Sequence, residues 1–363
     1  MTLQKKQAVG EERIVIIEVM RLLFAAVVVL FHASVLRQPE GFFIMPKGYI
    51  GVEFFFLLSG FLMARSAAES YSQNKETPVG AATVHFIKRK ALSFYPYYLF
   101  AFFVTFLIYP NIFKGPLNSF LLRCEEALWE LLLVKRIGVG NGVWLNGATW
   151  YLSAMVFCMF LIYPLLYKTR NIFVYIIAPV SVVFILGLLY AEGGLSITEK
   201  WFPQHYRSLL RTFAELSMGC VCFEICCNLQ KQIPGTTKRM LFTIAELLCY
   251  LTALAFAAFW KGDMRMDYFI LLVLAVGITI SFSGLSYFYE KKAGAFTGFL
   301  GKYSLCRYLC HRGWCWFLKD KIPRGGDTGK LFLYVLLSTC TALACMITVD
   351  GIKCILNKNG RES

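Results

Sequence analysis

Three ionisable side chains lie inside the first apolar stretch of the sequence, and their spacing suits chemistry on one helix face. The stretch covers residues 14–36 and contains Glu18, Arg21 and His32. In an α-helix, residues eleven positions apart lie within about 20° of the same face and ~16 Å apart along the axis. Arg21 and His32 have this spacing, so one face presents a cation near one end and an imidazole toward the other. Glu18 is one turn from Arg21 and is placed to pair with it.

A second apolar stretch carries a carboxyl group, Glu53, among the aromatic residues of the run 48–62. A carboxyl group in such surroundings needs a partner or a proton, because burial disfavours its charged form. His32 is the expected partner, since a carboxylate that orients a histidine and raises its basicity creates a general base. Ser59 and Gly60 are small enough to predict close packing of this stretch against another helix.

Three consecutive cations, Lys88, Arg89 and Lys90, stand at the start of the third apolar stretch, in the segment Phe86 to Pro96. Clustered cations at this position have two interpretations. They orient the chain in the membrane, or they contact a ligand that carries phosphate groups. The residues alone leave both interpretations open.

Two later segments carry further candidates to contact a substrate or to support the residues that do. Trp150 and Ser153 open the fourth stretch, where aromatic residues form either an interfacial belt or a wall for stacking sugars. Arg307 and His311 lie in the ninth stretch, and His311 is expected near the level of His32. An arginine inside a span is unusual, so Arg307 is expected to face the interior of the bundle.

The composition places the whole chain among membrane proteins. Of its 363 residues, 58% are hydrophobic and only 16% are charged, whereas soluble domains carry about 25% charged residues. The net charge of +15 does not indicate nucleic-acid binding, because the lysines and arginines occur in short loops between apolar runs. The 13 cysteines lie mostly in apolar runs and are expected to pack as small apolar residues, with no metal site. No cleavable signal peptide is expected, since the first apolar run is too long for one.

The apolar pattern predicts an all-α, polytopic bundle of about ten transmembrane helices, each of roughly 20 residues. The predicted spans are 14–36, 48–66, 91–110, 147–167, 171–190, 206–227, 240–260, 267–288, 299–318 and 331–355. A further short stretch, 119–134, contains three glutamates and is interpreted as an amphipathic helix at the interface. With ten spans the loop charges favour cytoplasmic N- and C-termini. The chain then divides into a cytoplasmic segment 1–13, a membrane domain 14–355 and a cytoplasmic tail 356–363.

Taken together, these segments resemble the acyltransferase-3 family of integral membrane acyltransferases. The resemblance rests on motifs spread over most of the chain in the expected order: Arg21 and His32 with ten residues between them, Gly51-Val-Glu-Phe-Phe-Phe-Leu-Leu-Ser-Gly-Phe61, the basic Phe86 to Pro96 segment, Trp150-Tyr-Leu-Ser153, Gly301-Lys-Tyr-Ser304 and Tyr308-Leu-Cys-His311. Each motif is weak alone, and the first two in tandem are fairly specific.

The resemblance implies roles for several of the residues above. His32 matches the family's essential histidine, and Arg21 matches an arginine tied to handling of the acyl donor. Arg89 matches one arginine of the basic segment, and Lys88 and Lys90 are assigned to the donor site with it. The family commonly has another arginine three residues before the proline, where this chain has Ser93. Family members often have aspartate at the position of Glu53, which preserves the carboxyl group.

The resemblance also implies the reaction and its partners. An acyl group, with acetyl expected, moves from cytoplasmic acyl-CoA to a hydroxyl of a carbohydrate, a cell-surface glycan or its lipid-linked precursor. Acyl-CoA is then a co-substrate, no cofactor is bound tightly, and the protein acts in the cell membrane. His32, oriented by Glu53, serves either as a general base or as a nucleophile that forms an acyl-histidine. A homo-oligomer is left open.

Two other classes of function fit the same intramembrane charges. A transporter or channel carries charged residues at mid-depth, although no convincing internal repeat is present. A non-catalytic scaffold for glycan assembly is the third alternative. Transfer or hydrolysis of acetyl-CoA by the purified protein separates the enzyme from a transporter, because a transporter shows neither.

Overall fold

The structure is a computed structural model, and it describes residues 14–36, 44–109, 116–137, 139, 145–195, 204–232, 234–290, 294–321 and 327–362. The apolar runs form helices because a helix satisfies every backbone N–H and C=O internally, as a span without water requires. Within the described ranges the α-helices are α1 Val15–Ala33, α2 Ile50–Gln73, α3 Val79–Ile108, α4 Leu117–Leu131, α5 Trp150–Ile172, α6 Ala178–Ala191, α7 Gln204–Leu229, α8 Thr236–Phe259, α9 Met266–Phe282, α10 Ala295–Lys321 and α11 Asp327–Glu362.

The helical membrane bundle predicted from the sequence is confirmed. Six stretches of the described chain are long and apolar enough to cross a membrane: Val15–Leu36, Ile50–Gln73, Val79–Ile108, Gly147–Ala191, Thr236–Phe259 and Thr328–Leu356. α9 is a shorter apolar helix of 17 residues. The count of about ten spans and the side on which the termini lie stay predictions.

Two long helices, α7 and α10, are absent from those six because both carry several charged residues. Neighbouring helices shield them, since α7 packs along α2, and α10 packs along α1, α3 and α11. Polar groups inside a membrane are tolerated where they face protein rather than lipid. The helices with the poorest hydropathy are therefore the ones that bring polar chemistry into the interior.

Some helices extend beyond the predicted spans. α2 continues to Gln73 and α3 already begins at Val79, so the cations Lys88, Arg89 and Lys90 lie within a helix. α11 continues through residues 356–362. Hydropathy marks only the apolar part of a helix, whereas the backbone hydrogen bonds continue through the polar turns that follow it.

α4 has the properties expected of an interfacial helix. Its 15 residues span ~22 Å, which is short of the ~30 Å of a hydrocarbon core. One face is rich in exposed leucines, such as Leu117 and Leu121, whereas Glu126 and Glu130 are buried. The helix thus presents an apolar face outward and turns two of its three carboxyl groups toward the bundle, while that of Glu125 is exposed.

The close packing predicted from Ser59 and Gly60 is confirmed. A Cβ atom at Gly60 would collide with the backbone carbonyl of Leu216 in α7. A Cβ atom at Gly219 would likewise collide with the backbone carbonyl of Leu57 in α2. The two helices therefore touch backbone to backbone, and this contact fixes α2 against α7.

Candidate active site

The centre of the site is a pair of histidines from the first and the tenth helix. His32 lies in the last turn of α1, and His311 is fully buried in α10. The Nε2 atom of His311 lies 3.2 Å from the Nδ1 atom of His32, and the ring centroids are 5.0 Å apart. The expectation that His311 lies near the level of His32 is thus confirmed. These two residues are called the histidine pair below.

Hydrogen-bond partners assign the protons of the histidine pair. His311 Nδ1 lies 2.6 Å from the carbonyl oxygen of Tyr308, which can only accept, so Nδ1 donates and a neutral ring leaves Nε2 as an acceptor. His32 Nδ1 lies 3.0 Å from the carbonyl oxygen of Val28 and therefore donates to it and to His311 Nε2. The lone pair of a neutral His32 is then on Nε2, and the hydrogen bonds of this ring to described residues are made through Nδ1.

The expected hydrogen bond between Glu53 and His32 is wrong. Glu53 is fully buried and accepts a hydrogen bond from the Nη2 group of Arg211 in α7. Arg211 also donates through Nε to Glu215, one turn further along α7, at 2.9 Å. A guanidinium attracts a buried carboxylate more strongly than a neutral imidazole does, because it is always charged and donates several hydrogen bonds. Glu53, Arg211 and Glu215 are called the carboxylate cluster.

Arg211 and Glu215 are not among the candidates predicted from the sequence, although a signal for both is present there. Both lie well inside the predicted span 206–227. Their spacing of four residues, with opposite charges, places them on one helix face. The rule that selected Glu18, Arg21 and His32 in the first span would have selected this pair as well.

A second ion pair borders the carboxylate cluster. Asp267, at the start of α9, accepts hydrogen bonds from Lys47 at 3.3 Å and from the Tyr49 hydroxyl at 2.7 Å. The ring of Tyr49 lies 5.7 Å from that of Phe31, the neighbour of His32. The ion pair is therefore connected to the turn of α1 that carries His32.

Aromatic rings lie between the histidine pair and the carboxylate cluster. The ring of Tyr308 lies 5.8 Å from that of His311 and 5.8 Å from that of Tyr151. Its hydroxyl donates to the carbonyl of Ala148 at 2.8 Å. Phe55 completes this layer, with its ring 6.2 Å from that of Tyr151. These rings are rigid, so they separate the two polar groups and fix their spacing.

Trp150 and Ser153 have different partners. The guanidinium of Arg211 lies 5.7 Å from the centre of the Trp150 ring, which places this tryptophan against the carboxylate cluster as a cation–π partner. Ser153 is buried and donates a 2.5 Å hydrogen bond to the carbonyl of Leu133, so it holds the segment that follows α4. Trp150 thus borders a polar site, whereas Ser153 supports the chain nearby.

Arg21 lies about a third of the way along α1 and pairs with Glu18, as the sequence indicated. Its Nη1 group lies 3.3 Å from Glu18 Oε1. Glu18 in turn packs against the backbone of Gly301, where a Cβ atom would collide with its carboxyl group. Arg21 also lies within electrostatic range of Tyr151, whose hydroxyl is 3.4 Å from that of Ser59. Tyr151 therefore lies between Arg21 and the histidine pair.

The basic segment lies further along α3. Arg89 donates to the hydroxyl of Ser66 in α2 at 2.7 Å, which ties the two helices together. Lys88 is exposed and Lys90 is half-buried, and the hydroxyl of Ser93 is turned back onto the carbonyl of Lys90. Arg89 thus contacts α2, and the structure does not bring the three cations into contact with the histidine pair.

Two arginines of α10 flank the histidine pair. Arg307 is half-buried and donates to the hydroxyl of Tyr303 at 3.3 Å, so it stays along its own helix. Arg312, which the sequence analysis did not select, lies within electrostatic range of both His32 and His311. Its guanidinium lies 4.7 Å from the Trp316 ring, and its Nη1 group is buried with no hydrogen-bond acceptor among the described residues.

Glu130 of α4 organises the entrance to α5. Its carboxylate accepts the backbone N–H groups of Leu145 and Asn146, both at 2.9 Å, and the Thr149 hydroxyl at 3.1 Å. Burial raises the pKa of this carboxyl group, and the two backbone donors oppose the rise. Asn146 is itself buried and donates to the carbonyl of Leu309 at 2.8 Å.

Comparison with known proteins identifies the family. A comparison with curated proteins and one with solved structures each return no match. The family model of the acyltransferase-3 domain matches residues 14–350, which is nearly the whole chain and contains both polar clusters. The chain belongs to the acyltransferase-3 family of membrane acyltransferases.

Proposed function

We propose that the protein transfers an acyl group, acetyl in the first instance, from acyl-CoA to a hydroxyl of a carbohydrate in the cell envelope. Membership of the acyltransferase-3 family supports acyl transfer and disfavours a transporter or a scaffold. The acetyl group, the CoA donor, the glycan acceptor and a location in the cell membrane are parts of the proposal.

The observation that carries the proposal is the hydrogen-bond geometry of the histidine pair, from which its protons are assigned. His32 donates its Nδ1 proton to Val28 and His311, so the lone pair of Nε2 is available to a substrate. A base needs a defined tautomer and a lone pair within reach of the proton that it removes. His311 is a positioning residue here, because it accepts the Nδ1 proton and holds the ring of His32.

The reaction is balanced without any other reactant. Nε2 of His32 takes the proton of the acceptor hydroxyl while the oxygen attacks the thioester carbonyl. The tetrahedral intermediate then breaks its carbon–sulfur bond, and the CoA sulfur receives the proton from His32. The products are an ester and free CoA.

Negative charge develops on the carbonyl oxygen during this reaction, and a preorganised cation near the base lowers the barrier. Arg312 is the candidate for this role. It lies within electrostatic range of the histidine pair, and its buried Nη1 group has no acceptor in the described part of the chain.

The donor is proposed to enter from the end of the bundle that carries Arg21 and Arg89. CoA carries several phosphate groups, which arginine and lysine bind well. Lys88 and Lys90 are included in this donor site. From Arg21 the path leads along α1 past Tyr151 and Tyr308 to the histidine pair, over ~16 Å of helix, a distance suited to an extended arm that carries the thioester at its tip.

The test is an assay of the purified protein in lipid nanodiscs with acetyl-CoA. We expect slow release of free CoA without acceptor, and faster release with transfer of label when envelope glycans are supplied. The control is a nanodisc preparation from cells that lack the protein. No CoA release and no transfer under any of these conditions would remove the enzyme assignment.

The mass of the surface glycans identifies the group and the acceptor. Cells with and without the protein are compared, and an increase of one acetyl mass on one glycan is expected. A different acyl mass corrects the group, and identical glycans in the two strains contradict a glycan acceptor. The position of the added mass identifies the hydroxyl.

Whether His32 acts as a base or as a nucleophile is decided by whether it becomes acylated. Protein mixed with labelled acetyl-CoA without acceptor is denatured rapidly, and retained label is measured. Label that stays on His32 indicates an acyl-histidine, whereas its absence with normal turnover supports the base.

A further inference from the structure

Buried polar atoms without partners gather around the carboxylate cluster. The carboxyl groups of Glu53 and Glu215 approach each other, and apart from that mutual contact Glu53 Oε1 and Glu215 Oε2 are buried with no hydrogen-bond donor among the described residues. In the same region the Nε group of Arg207 and the hydroxyl of Tyr268 are buried donors without an acceptor. A buried polar atom without a partner destabilises the folded protein, so four of them in one place indicate a ligand or water.

The four atoms lie close to one another. The Tyr268 hydroxyl is within electrostatic range of Arg207, Arg211 and Glu215. Arg207 is one turn before Arg211 on α7, and its Nη2 group is held by the carbonyl of Gly194 at 2.8 Å. The guanidinium of Arg207 is therefore fixed at one end while its Nε group stays available.

The unpaired atoms comprise both donors and acceptors. Two carboxylate oxygens accept, and one N–H group and one O–H group donate. A sugar hydroxyl donates one hydrogen bond and accepts others, so a run of neighbouring hydroxyls satisfies such a set. A purely anionic group would satisfy only the donors, and a purely cationic group would satisfy only the acceptors.

The formal charges of the region nearly cancel. Glu53, Glu215 and Asp267 supply three carboxyl groups, and the cations are Lys47, Arg207 and Arg211. Most of these charges are already paired, and the half-buried Glu192 lies within electrostatic range of Arg207. Three carboxyl groups thus stand against three cations, and this balance favours a neutral ligand.

The region also offers a stacking surface and a connection to the histidine pair. Trp150 lies against Arg211, and aromatic rings stack on the apolar faces of sugars. Tyr308 is within electrostatic range of Arg211, and its ring lies 5.8 Å from that of His311. A sugar bound at the carboxylate cluster is thus separated from the histidine pair by one layer of aromatic side chains.

From these observations we propose that Glu53, Glu215, Arg207 and Tyr268 form the acceptor subsite and bind the hydroxyls of a neutral sugar unit. This inference rests on the proposed function and adds to it the place and the charge of the acceptor. The bound unit is held by the subsite while another hydroxyl of the same acceptor reacts at His32.

The experiment separates acceptor binding from donor chemistry. Membrane vesicles that contain the protein and its native glycans receive acetyl-CoA labelled in the acetyl group. Transfer is the label in hydroxylamine-labile esters of the glycan fraction, and donor chemistry is the release of CoA by purified protein without acceptor. We expect Tyr268→Phe and Glu215→Gln to lower transfer about tenfold and to leave CoA release within about twofold of the wild type, because each removes one or two hydrogen bonds to the sugar.

The matched control is Tyr175→Phe, which removes a hydroxyl bonded to Glu224 near the other end of α7. It should leave both quantities unchanged. Unchanged transfer in Tyr268→Phe and Glu215→Gln overturns the subsite, and so does an equal loss of transfer and CoA release. If the wild type shows neither transfer nor CoA release, the proposed function itself fails, and that outcome is distinct from the other two.

Competition tests the charge of the ligand. Methyl glucoside, methyl galactoside and methyl mannoside are added to the wild-type vesicles, with glucuronate and glucosamine as the charged comparisons. At least one neutral glycoside should inhibit transfer better than either charged sugar. Stronger inhibition by glucuronate or glucosamine, or no inhibition by any neutral glycoside, overturns the assignment of a neutral sugar.

Discussion

The histidine pair and the carboxylate cluster solve the same problem, a polar group inside an apolar bundle, in opposite ways. In the histidine pair both rings are assigned as neutral, and the N–H group of His32 Nδ1 is shared between the carbonyl of Val28 and His311 Nε2. His32 Nε2 is then left for a substrate. The carboxylate cluster instead gathers two buried carboxyl groups around the guanidinium of Arg211. Neutral polar groups are cheap to bury, whereas charges are buried only in pairs.

The difference indicates how the two groups divide the work. A group that must exchange a proton needs a lone pair that is not occupied by a charged partner, and Nε2 of His32 provides one. A group that must hold a substrate benefits from fixed donors and acceptors around a rigid centre, as Arg211 provides. We therefore expect variants of the histidine pair to change chemistry at constant stability, and variants at the centre of the carboxylate cluster to change stability first.

The largest effect is expected for His32→Ala. Without the Nε2 lone pair, transfer should fall about 10³- to 10⁴-fold with the melting temperature nearly unchanged, because general acid–base catalysis is worth up to this amount. The measurement is kcat/KM for label transfer, together with thermal unfolding. The matched control is His85→Ala, which removes an exposed histidine of α3 and should retain activity. Wild-type transfer in His32→Ala contradicts the proposed chemistry.

Arg211→Met should destabilise the protein by about 3–5 kcal/mol, because it leaves two buried carboxyl groups without their cation. Thermal unfolding in detergent measures the loss. In the double variant that adds Glu215→Gln to Arg211→Met, the loss should be partly reversed, since one of the stranded charges is removed. Equal stability of Arg211→Met and the wild type would show that Arg211 is not the centre of the cluster.

Arg312→Gln should lower kcat about 10²-fold and leave KM for acyl-CoA within twofold. A donor for the developing negative charge acts in the transition state and not in substrate binding. Steady-state kinetics with varied acyl-CoA measure both constants. A raised KM with normal kcat would instead place Arg312 in the donor site.

His311→Leu should lower kcat about tenfold, whereas His311→Gln should retain most activity. The leucine removes the acceptor for the Nδ1 proton of His32, and the glutamine carbonyl oxygen replaces it, while Val28 keeps its own hydrogen bond to His32 in both variants. A merely structural role predicts equal damage from both substitutions, with KM values changing as well. The ratio of the two kcat values therefore tests positioning.

The smallest effect is expected for Arg21→Ala, which should raise KM for acyl-CoA about tenfold and change the acceptor dependence less. Arg21 is a third exposed and already paired with Glu18, so its loss removes one contact with the donor. Arg265→Ala, an exposed arginine before α9, is the control. A larger change in the acceptor dependence would remove Arg21 from the donor site.

The sequence allowed the helical bundle and the central histidine to be predicted, because both leave local signals. Apolar runs mark the helices, and His32 stands out as an imidazole in such a run. The level of His311 also followed, since it depends only on depth along a span. The partner of Glu53 could not be predicted, because it depends on which helix lies beside α2.

The neighbour of α2 proved to be α7, and its identity is encoded in contacts between residues far apart in the chain. Gly60 and Gly219 are separated by more than 150 residues and show no joint pattern in a single sequence. The sequence therefore points to His32, in the outer half of the preceding span, as the partner of Glu53 instead of Arg211. The need of a buried carboxyl group for a partner thus follows from the sequence, whereas the identity of that partner does not.

The contact between Gly60 and Gly219 couples the crossing angle of α2 and α7 to the ion pair of Glu53 and Arg211. Glu53 lies seven residues from Gly60, and Arg211 lies eight residues from Gly219, so the ion pair is ~11 Å from the point where the two backbones touch. A change of ~10° in the crossing angle at that point shifts the ends of the arms by ~2 Å, which is enough to break a hydrogen bond. A side chain at Gly60 or Gly219 would therefore act at a distance. One added methyl group at this contact, away from the substrate, is enough to change the crossing angle and separate Glu53 from Arg211.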